Sequence, residues 1–351
     1  MILDAALREI GSGTGPVALV TLAKVSGSTP RESGSRMAVR PDGSIVGTVG
    51  GGKPEAQARA AALALLSAAR SASRFATLHI EMTGADAKGV DLICGGIADM
   101  WIEVLEDRRL YSSALDSIAR GDRLVLVSSA EAGTIALIEG SAVQVGRVPP
   151  RLDGEALAKA FSGKLCVLGE NDGFLYSSIE PPEKLLILGG GHVGLAVAEV
   201  AIRLSFDVTV ADPRPEYSDP ARFPSRVDCR KADFVEAIES FPQGETSYVV
   251  VVSPGHLGDL ECARTLIKRD YRYVGIIGSR RKCRMLIETI IGEGAGREKA
   301  EALRMPIGLD IGALTPEEIA IAIAAELIAV RHDSPSLEWI DGDRRRRRLQ
   351  A

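Results

Sequence analysis

The sequence predicts an α/β protein whose C-terminal part is a doubly wound parallel sheet and whose N-terminal part is an α+β domain. From residue 184 onward, short apolar runs alternate regularly with segments of helical spacing, which is typical of βαβ units. Before that point, several strand-like runs are interrupted by few helices. The chain has 351 residues, which is enough for two domains with separate cores.

The N-terminal region combines one long helix with several strands. The run from Val17 to Val25 is the first predicted strand, and an alanine-rich segment from about Pro54 to Ala69 is predicted to be helical. Further strands are expected at 75–82, 97–105, 124–128 and 134–138. A proline pair at 181–182 precedes the next apolar strand. We therefore expect a first domain over residues 1–182, a second over 183–332 and a flexible tail over 333–351.

The second domain is predicted to contain alternating strands and helices. Strands are expected at 185–188, 208–211, 248–252 and 273–277, with helices at 193–204 and 260–268. The last helix has a clear start, because Thr315 can cap it, Pro316 suits its first position and Glu318 completes a capping box. Residues 319–330 are apolar on nearly every face, so this helix is expected to be largely buried.

Composition excludes several classes of protein. A net charge of −5 argues against nucleic-acid binding, and the one basic block, residues 344–348, is interpreted as a solvated tail. No window approaches the roughly 20 apolar residues of a membrane span. Five scattered cysteines without CxxC spacing predict neither a disulfide framework nor a zinc site. Together with the absence of a signal-peptide pattern, they favour the cytoplasm.

A glycine fingerprint opens the second domain. In the run 189–194, Gly189 permits a tight turn, Gly191 lets a phosphate approach the backbone and Gly194 lets helix and strand pack closely. Asp212 ends the second strand, where a carboxylate can accept hydrogen bonds from two ribose hydroxyls and repel a 2′-phosphate. The pattern predicts a Rossmann-type fold with a ligand phosphate at the helix N-terminus. The alternative is that the glycines serve packing alone.

Two further features follow later strands of this domain. The run Ser279, Arg280, Arg281 and Lys282 places three cations at a helix start, which indicates a second anion site or a solvated basic turn. His256 and Asp259 follow the third strand, at the edge where open α/β sheets bind ligands. His256 is a candidate acid, base or ligand.

The N-terminal domain carries its own candidate ligand loops. A polar loop holds Ser28, Thr29 and Arg31, and the glycines Gly50, Gly51 and Gly52 precede the long helix, with Glu55 in its first turn. Successive glycines before a helix can form an anion-binding nest, or simply a flexible turn.

Cys94 precedes two glycines and a predicted strand, so its thiol is a candidate nucleophile or soft metal ligand. A buried structural cysteine is the alternative.

Taken together, these motifs resemble the XdhC/CoxI family. Its N-terminal domain is matched by the runs 27–31, 50–55 and 94–96. Its Rossmann domain is matched by 189–194 with His192, by 278–282 and by 306–319. The motifs occur in the expected order over nearly the whole chain, and the last of them is the most specific.

The resemblance implies a xanthine dehydrogenase accessory factor. Such a protein is expected to be a non-catalytic chaperone that binds molybdenum cofactor (molybdopterin), protects it during sulfuration and delivers it to an apo molybdenum hydroxylase. It also implies a homodimer and a cysteine desulfurase partner. Cys94 would then be a candidate ligand of the molybdenum in the bound cofactor.

Two positions depart from the family pattern. Lys53 and Pro54 stand where a cysteine and an aliphatic residue often follow the triple glycine, which leaves Cys94 as the candidate sulfur. The run 253–256 replaces a threonine-led motif. Two alternatives stay open: an oxidoreductase that uses NAD or another nucleotide, with His256 as candidate catalytic residue, and an interaction module with an empty Rossmann fold.

Overall fold

A computed structural model describes residues 5–27, 29–68, 74–81, 96–105, 108–129, 133–139, 142–146, 152–162, 166–169 and 173–334. The chain divides into two compact units, residues 1–181 and 182–351. Ser28, Cys94 and the arginine run 344–348 lie outside the described residues.

The described part of the N-terminal unit is built from two antiparallel five-stranded sheets and four helices. The sheet orders are β3-β2-β1-β5-β4 and β8-β7-β6-β10-β9. The helices are α1 (Ala5–Ser12), α2 (Gly52–Ser67), α3 (Arg109–Arg120) and α4 (Gly154–Phe161). The strands are β1 (Val17–Gly27), β2 (Arg36–Val39), β3 (Ile45–Gly47), β4 (Phe75–Glu81), β5 (Gly96–Leu105), β6 (Leu124–Ser129), β7 (Gly133–Glu139), β8 (Ala142–Gly146), β9 (Cys166–Leu168) and β10 (Leu175–Ile179). This confirms the predicted α+β class.

Strand β1 separates two cores because its side chains alternate between faces. Val17 and Leu19 pack in one apolar cluster with α1 and α3, whereas Val20 and Leu22 pack in another with α2. Strand β1 pairs with β5 along its whole length, so that its last residue, Gly27, lies opposite the start of β5.

The C-terminal unit is a doubly wound parallel sheet. Its order is β13-β12-β11-β14-β15, and every neighbouring pair is parallel. The strands are β11 (Lys184–Leu188), β12 (Asp207–Ala211), β13 (Asp228–Arg230), β14 (Gly244–Val251) and β15 (Tyr271–Ile276). The helices are α5 (His192–Arg203), α6 (Phe234–Ser240), α7 (His256–Leu266), α8 (Arg280–Gly292), α9 (Arg297–Ala302) and α10 (Pro316–Arg331).

Helices cover both faces of this sheet. Side chains of α5 and α10 share one core with the sheet, and side chains of α6, α7 and α8 share the other. The central strand β11 is buried from Leu185 to Leu188, as expected for a parallel strand covered on both faces. The predicted doubly wound, Rossmann-type fold is therefore confirmed, with the crossover point between β11 and β14.

Helix α10 begins where the sequence predicts and is largely buried, as predicted. The Thr315 hydroxyl accepts a hydrogen bond from the Glu318 N–H, and the Glu318 carboxylate accepts one from the Thr315 N–H at 3.0 Å. Most of residues 319–330 are buried, which confirms the prediction, and Ile321 and Ile328 are the exposed positions, at 53% and 38%. Among the described residues, no helix combines the length and apolar content that crossing a membrane requires.

Candidate functional site

The N-terminal ligand loops meet at one end of the first sheet. Strand β1 ends at Gly27, directly opposite Gly96 at the start of β5. The loop that follows β1 reaches the glycine run, since a Cβ built on Gly50 would lie 3.4 Å from the Pro30 Cβ. Thr29 and other residues of both loops line a cavity of about 10 Å³, room for about one water molecule. Two separately predicted loops are thus neighbours, and the cysteine motif ends at the same edge, at Gly96.

The three glycines at the start of α2 adopt backbone conformations that residues with a side chain disfavour. Gly50, Gly51 and Gly52 have φ values of +130°, +73° and +63°. A Cβ on Gly51 would have no heavy atom within 4 Å, so the requirement at that position is conformational rather than steric. The run therefore shapes the entry to α2.

Glu55 fills the nest that the sequence assigned to a ligand. Its Oε2 accepts hydrogen bonds from the N–H groups of Val49 at 3.1 Å and Gly51 at 3.2 Å, and from the Thr48 hydroxyl. Burial acts to raise the pKa of this carboxyl, but hydrogen bonds from Thr48 and the loop amides outweigh it, so its pKa is lowered. The interpretation of this loop as an open anion site therefore needs correction, because Glu55, in the first turn of the helix, already occupies these amides.

We expect Glu55→Gln to loosen the glycine loop and to cost about 1 kcal/mol at neutral pH, because the site is partly exposed. A lowered pKa in the folded state means that this stabilisation is present above the usual glutamate pKa and is lost as pH falls through the lowered value. Denaturant unfolding from pH 7 to pH 3 should show a smaller acid-induced loss for Glu55→Gln than for the wild type. Glu32→Gln, at an exposed position of the neighbouring loop, is the control. Identical pH profiles for wild type and Glu55→Gln would contradict this account.

The glycine fingerprint of the C-terminal unit has the predicted packing geometry. Gly189 turns with φ +112°, and a Cβ on Gly194 would lie 1.9 Å from the Gly189 carbonyl oxygen. Gly191, the position expected to face a phosphate, has no heavy atom within 4 Å of its built Cβ. His192 is exposed and begins α5. The surface in front of Gly191 is therefore open to a ligand, whose binding remains a prediction.

Asp212 does not present a free carboxylate. It is fully buried and accepts hydrogen bonds from the Gly190 N–H at 2.9 Å and from Arg214 through its main-chain N, Nε and Nη2 at 2.8–3.0 Å. Burial acts to raise its pKa, but these hydrogen bonds lower it overall. The expected hydrogen bonds to two ribose hydroxyls therefore need correction, because Arg214 and the glycine loop use the acceptor positions. This also weakens the support for the NAD-dependent alternative.

The cations of the second predicted anion site are largely engaged by carboxylates. The Lys282 ammonium pairs with Asp259, which is fully buried, and Arg280 pairs with Asp310 at 2.8 Å. The Ser279 hydroxyl caps α8. Arg280 and Arg281 are both exposed. The interpretation of this run as a second anion site is corrected in part, since two of its cations have internal partners.

Beside that pair, Ser253 at the end of β14 donates a hydrogen bond to Asp259 at 2.5 Å. His256 begins α7, and its side chain is outside what the structure describes. Asp259 is thus tied into the fold rather than available as an acid or base. Within the described ranges, no group of three or more His, Cys, Asp and Glu side chains is arranged to hold a metal ion.

The sequence interpretation missed a cluster after β12. The guanidinium carbon of Arg214 lies 3.9 Å from the centre of the Tyr217 ring, and that of Arg222 lies 5.0 Å from the same ring. Arg222 also donates to the Gly190 carbonyl oxygen at 2.8 Å. The sequence signal that could have revealed this cluster is the pair of arginines that follows the acidic residue at the end of the second strand.

Fold and loops together define a protein with an antiparallel α+β unit that carries converging glycine loops, followed by a Rossmann-type unit. A family model described as the XdhC Rossmann domain matches residues 185–327, and one described as the XdhC and CoxI family matches residues 12–80. Together they span more than half of the sequence. The chain belongs to the XdhC and CoxI family.

Curated relatives align with nearly all of this chain. It is 28% identical to the uncharacterized protein YqeB of Escherichia coli over 91% of its length, but it spans only 44% of that relative. It is 25% identical to a Bacillus subtilis protein named as a probable xanthine dehydrogenase subunit, covering 94% of this chain and 96% of that one. It is 24% identical to the molybdenum cofactor insertion chaperone PaoD of Escherichia coli, covering 94% and 88%.

A crystal structure described as a xanthine dehydrogenase from Bacillus halodurans has the same fold. Its TM-score is 0.80 at 23% identity, with 95% of this chain and 96% of that chain covered.

Proposed function

We propose that this protein is an accessory factor that binds molybdenum cofactor and assists its insertion into a xanthine dehydrogenase-type molybdenum hydroxylase. Family membership supports the proposal, as does the likeness over most of the chain to a relative named as a molybdenum cofactor insertion chaperone. The cofactor is cargo in this account, and the protein's task is to hold it and release it.

The observation that carries the proposal is the meeting of the family-typical loops at one end of the first sheet. Molybdenum cofactor is a pterin that bears a phosphate and a dithiolene-bound metal, so its holder needs cationic and hydroxyl groups and room for the pterin. Arg31 is exposed in the first loop, and Gly51 leaves open space above its Cα. The Thr29 hydroxyl donates to the Arg31 carbonyl oxygen at 2.9 Å and can still accept a hydrogen bond. A guanidinium can bind a phosphate or the pterin edge through two parallel hydrogen bonds.

We propose that Cys94 serves the same site. Gly96 begins β5 opposite Gly27, and Cys94 lies two residues earlier in the sequence. A thiolate is a soft ligand, which suits a thiophilic metal. In this account, sulfuration occurs on the bound cofactor with a cysteine desulfurase as partner, in the cytoplasm, and the chaperone works as a homodimer.

A transfer assay tests this function. The protein is purified from cells that make the cofactor and is mixed with an apo molybdenum hydroxylase, and hydroxylase activity is followed. We expect activation to depend on the protein and to fall on the order of tenfold or more for Arg31→Ala, because a charge-assisted contact to the cargo is lost. Arg59→Ala, an exposed arginine of α2, is the matched control and should behave as wild type. Absence of activation by the wild type, with free cofactor activating the same apo-enzyme, would refute the proposal.

A Cys94→Ser variant is expected to lose cofactor retention or sulfuration while its fold is unchanged. A serine hydroxyl replaces the soft thiolate ligand with a hard, neutral oxygen at neutral pH. Pterin content, sulfur content and the circular dichroism spectrum of the purified protein measure the three quantities. Cys229→Ser is the control, since burial raises the pKa of that thiol and it lies in the other unit. Equal cofactor occupancy and equal client activation in Cys94→Ser and wild type would remove Cys94 from the mechanism.

A further inference from the structure

We propose that the C-terminal unit binds a nucleotide whose ribose carries an additional phosphomonoester, and that Arg214 and Arg222 recognise this phosphate. The inference concerns the Rossmann-type unit and does not depend on molybdenum cofactor binding. It rests on the cluster after β12 and on the open face of the glycine loop.

The first argument is the state of Asp212. A nucleotide with a free ribose diol is normally held by a carboxylate at this position, which accepts hydrogen bonds from the hydroxyls. A carboxylate offers about four lone-pair positions. Asp212 already receives four hydrogen bonds from the Gly190 and Arg214 groups and is fully buried. Asp212 could accept hydrogen bonds from a ribose diol only if the Arg214 side chain moved away. That movement would remove the cation paired with a fully buried carboxylate.

The second argument is the pair of guanidinium groups that stands where a free carboxylate would otherwise face the ribose. Asp212 engages the Nε and Nη2 edge of Arg214, whose side chain is 35% exposed. Arg222 donates through Nη1 to the carbonyl oxygens of Gly190 at 2.8 Å and Glu216 at 3.1 Å, which holds its guanidinium beside the glycine loop. Both guanidinium groups lie within cation–π distance of the Tyr217 ring, at 3.9 and 5.0 Å. An arginine just after this strand end is the arrangement that accommodates a ribose phosphate.

Acidic groups of the same segment do not cancel this arrangement. The Asp219 carboxylate accepts a hydrogen bond from the Ala221 N–H at 2.9 Å and is exposed, and Glu216 is exposed as well. Charges in contact with water are strongly screened, whereas a phosphate seated on two fixed guanidinium groups is held by short hydrogen bonds.

The third argument is the space beside the arginines. Gly191 has no heavy atom within 4 Å of a built Cβ, and α5, 12 residues long, begins directly after it. The carboxyl ends of β11 and β12 bring this open turn and the arginine cluster to the same edge of the sheet. A ligand that spans both would place a bridging phosphate at Gly191 and its ribose phosphate at Arg214. A 2′-phosphate of the NADP type and a 3′-phosphate of the coenzyme A type share this chemistry.

Calorimetric titration of the full chain with NADP⁺, NAD⁺ and coenzyme A tests the proposal. We expect a ribose-phosphorylated nucleotide to bind on the order of tenfold to a hundredfold more tightly than NAD⁺, the effect of one or two charge-assisted hydrogen bonds. Preference for NADP⁺ assigns the 2′-phosphate, and preference for coenzyme A assigns the 3′-phosphate. NAD⁺ binding as tightly as either, or no binding of either phosphorylated nucleotide, overturns the proposal.

Two variants link the preference to the cluster. Arg214→Gln should abolish the preference and strengthen NAD⁺ binding relative to NADP⁺, because Asp212 regains free acceptor positions. Arg222→Gln leaves Asp212 paired with Arg214, so it tests the proposal even if circular dichroism shows that Arg214→Gln fails to fold. It should weaken binding of the ribose-phosphorylated nucleotide and leave NAD⁺ binding unchanged. Arg203→Gln, an exposed arginine at the end of α5, is the control. An undiminished preference in Arg222→Gln contradicts the assignment.

Discussion

Replacing Gly194 by alanine is expected to destabilise the C-terminal unit by about 3 kcal/mol or more. The added Cβ would lie 1.9 Å from the Gly189 carbonyl oxygen and 3.0 Å from its carbon. Gly189 cannot retreat easily, because its N–H donates to the Ala211 carbonyl at 2.9 Å and its backbone lies close to the Val252 carbonyl group. The added methyl group would therefore clash with backbone atoms that cannot move easily, rather than with a flexible side chain.

Urea unfolding followed by circular dichroism measures this loss, and Gly191→Ala is the matched control. Gly191 has φ −66°, which alanine adopts freely, and no neighbour within 4 Å of its built Cβ. Its variant should change stability by at most about 1 kcal/mol. It should instead weaken ligand binding at the open turn. A Gly194→Ala protein as stable as Gly191→Ala would show that the helix and strand are not packed as described.

Removing the buried carboxylate of Asp259 is expected to cost about 3–5 kcal/mol. Asp259 is fully buried, accepts the Ser253 hydroxyl at 2.5 Å and pairs with the Lys282 ammonium, whose side chain is 26% exposed. These contacts join the end of β14 to the first turns of α7 and α8. Asp259→Ala leaves a partly buried cation and a buried hydroxyl without their acceptor, which carries the full desolvation penalty.

Thermal and urea unfolding test this prediction with two comparisons. Asp310→Ala removes an ion pair of the same helix turn whose partners are 57% and 56% exposed, and it should cost less than about 1 kcal/mol. The double variant Asp259→Ala/Lys282→Met should be more stable than Asp259→Ala, because the stranded cation is gone. If Asp259→Ala and Asp310→Ala lose the same small amount, the buried pair does not hold these elements together.

Most of the C-terminal unit was predictable because its signals are local. Strands β11, β12, β14 and β15 contain short apolar runs, and the helix start at Thr315 is marked by its own capping residues. The short edge strand β13 has a polar sequence and was not predicted. The antiparallel strands β2, β3, β8, β9 and β10 were not predicted, since their sequences of three to five residues carry weak patterns. Strand β10 is fully buried although it contains Ser177 and Ser178, and both accept hydrogen bonds from the Arg36 guanidinium, which is far away in the sequence.

In the candidate sites, too, features set by residue type could be predicted from the sequence, whereas contacts between side chains could not. The conformations of the glycine runs follow from residue type, and Gly189, Gly191 and Gly194 have the predicted geometry. What periodicity cannot reveal is which side chain already occupies a binding group. Glu55 takes the loop amides and Arg214 takes Asp212, and both partners are nearby in the sequence. An acidic residue in the turn after a glycine run, and an arginine two residues after an acid, are the signals to weigh.

Pterin content of the purified protein tests the chaperone account most directly. The full chain is isolated from cells that synthesise molybdenum cofactor, denatured and oxidised, and fluorescent pterin is quantified per chain, with a molybdenum hydroxylase from the same cells as positive control. We predict pterin bound to wild type in clear excess over Arg31→Ala and Cys94→Ser. Repeated absence of pterin from wild type, while the hydroxylase yields it, would contradict the account.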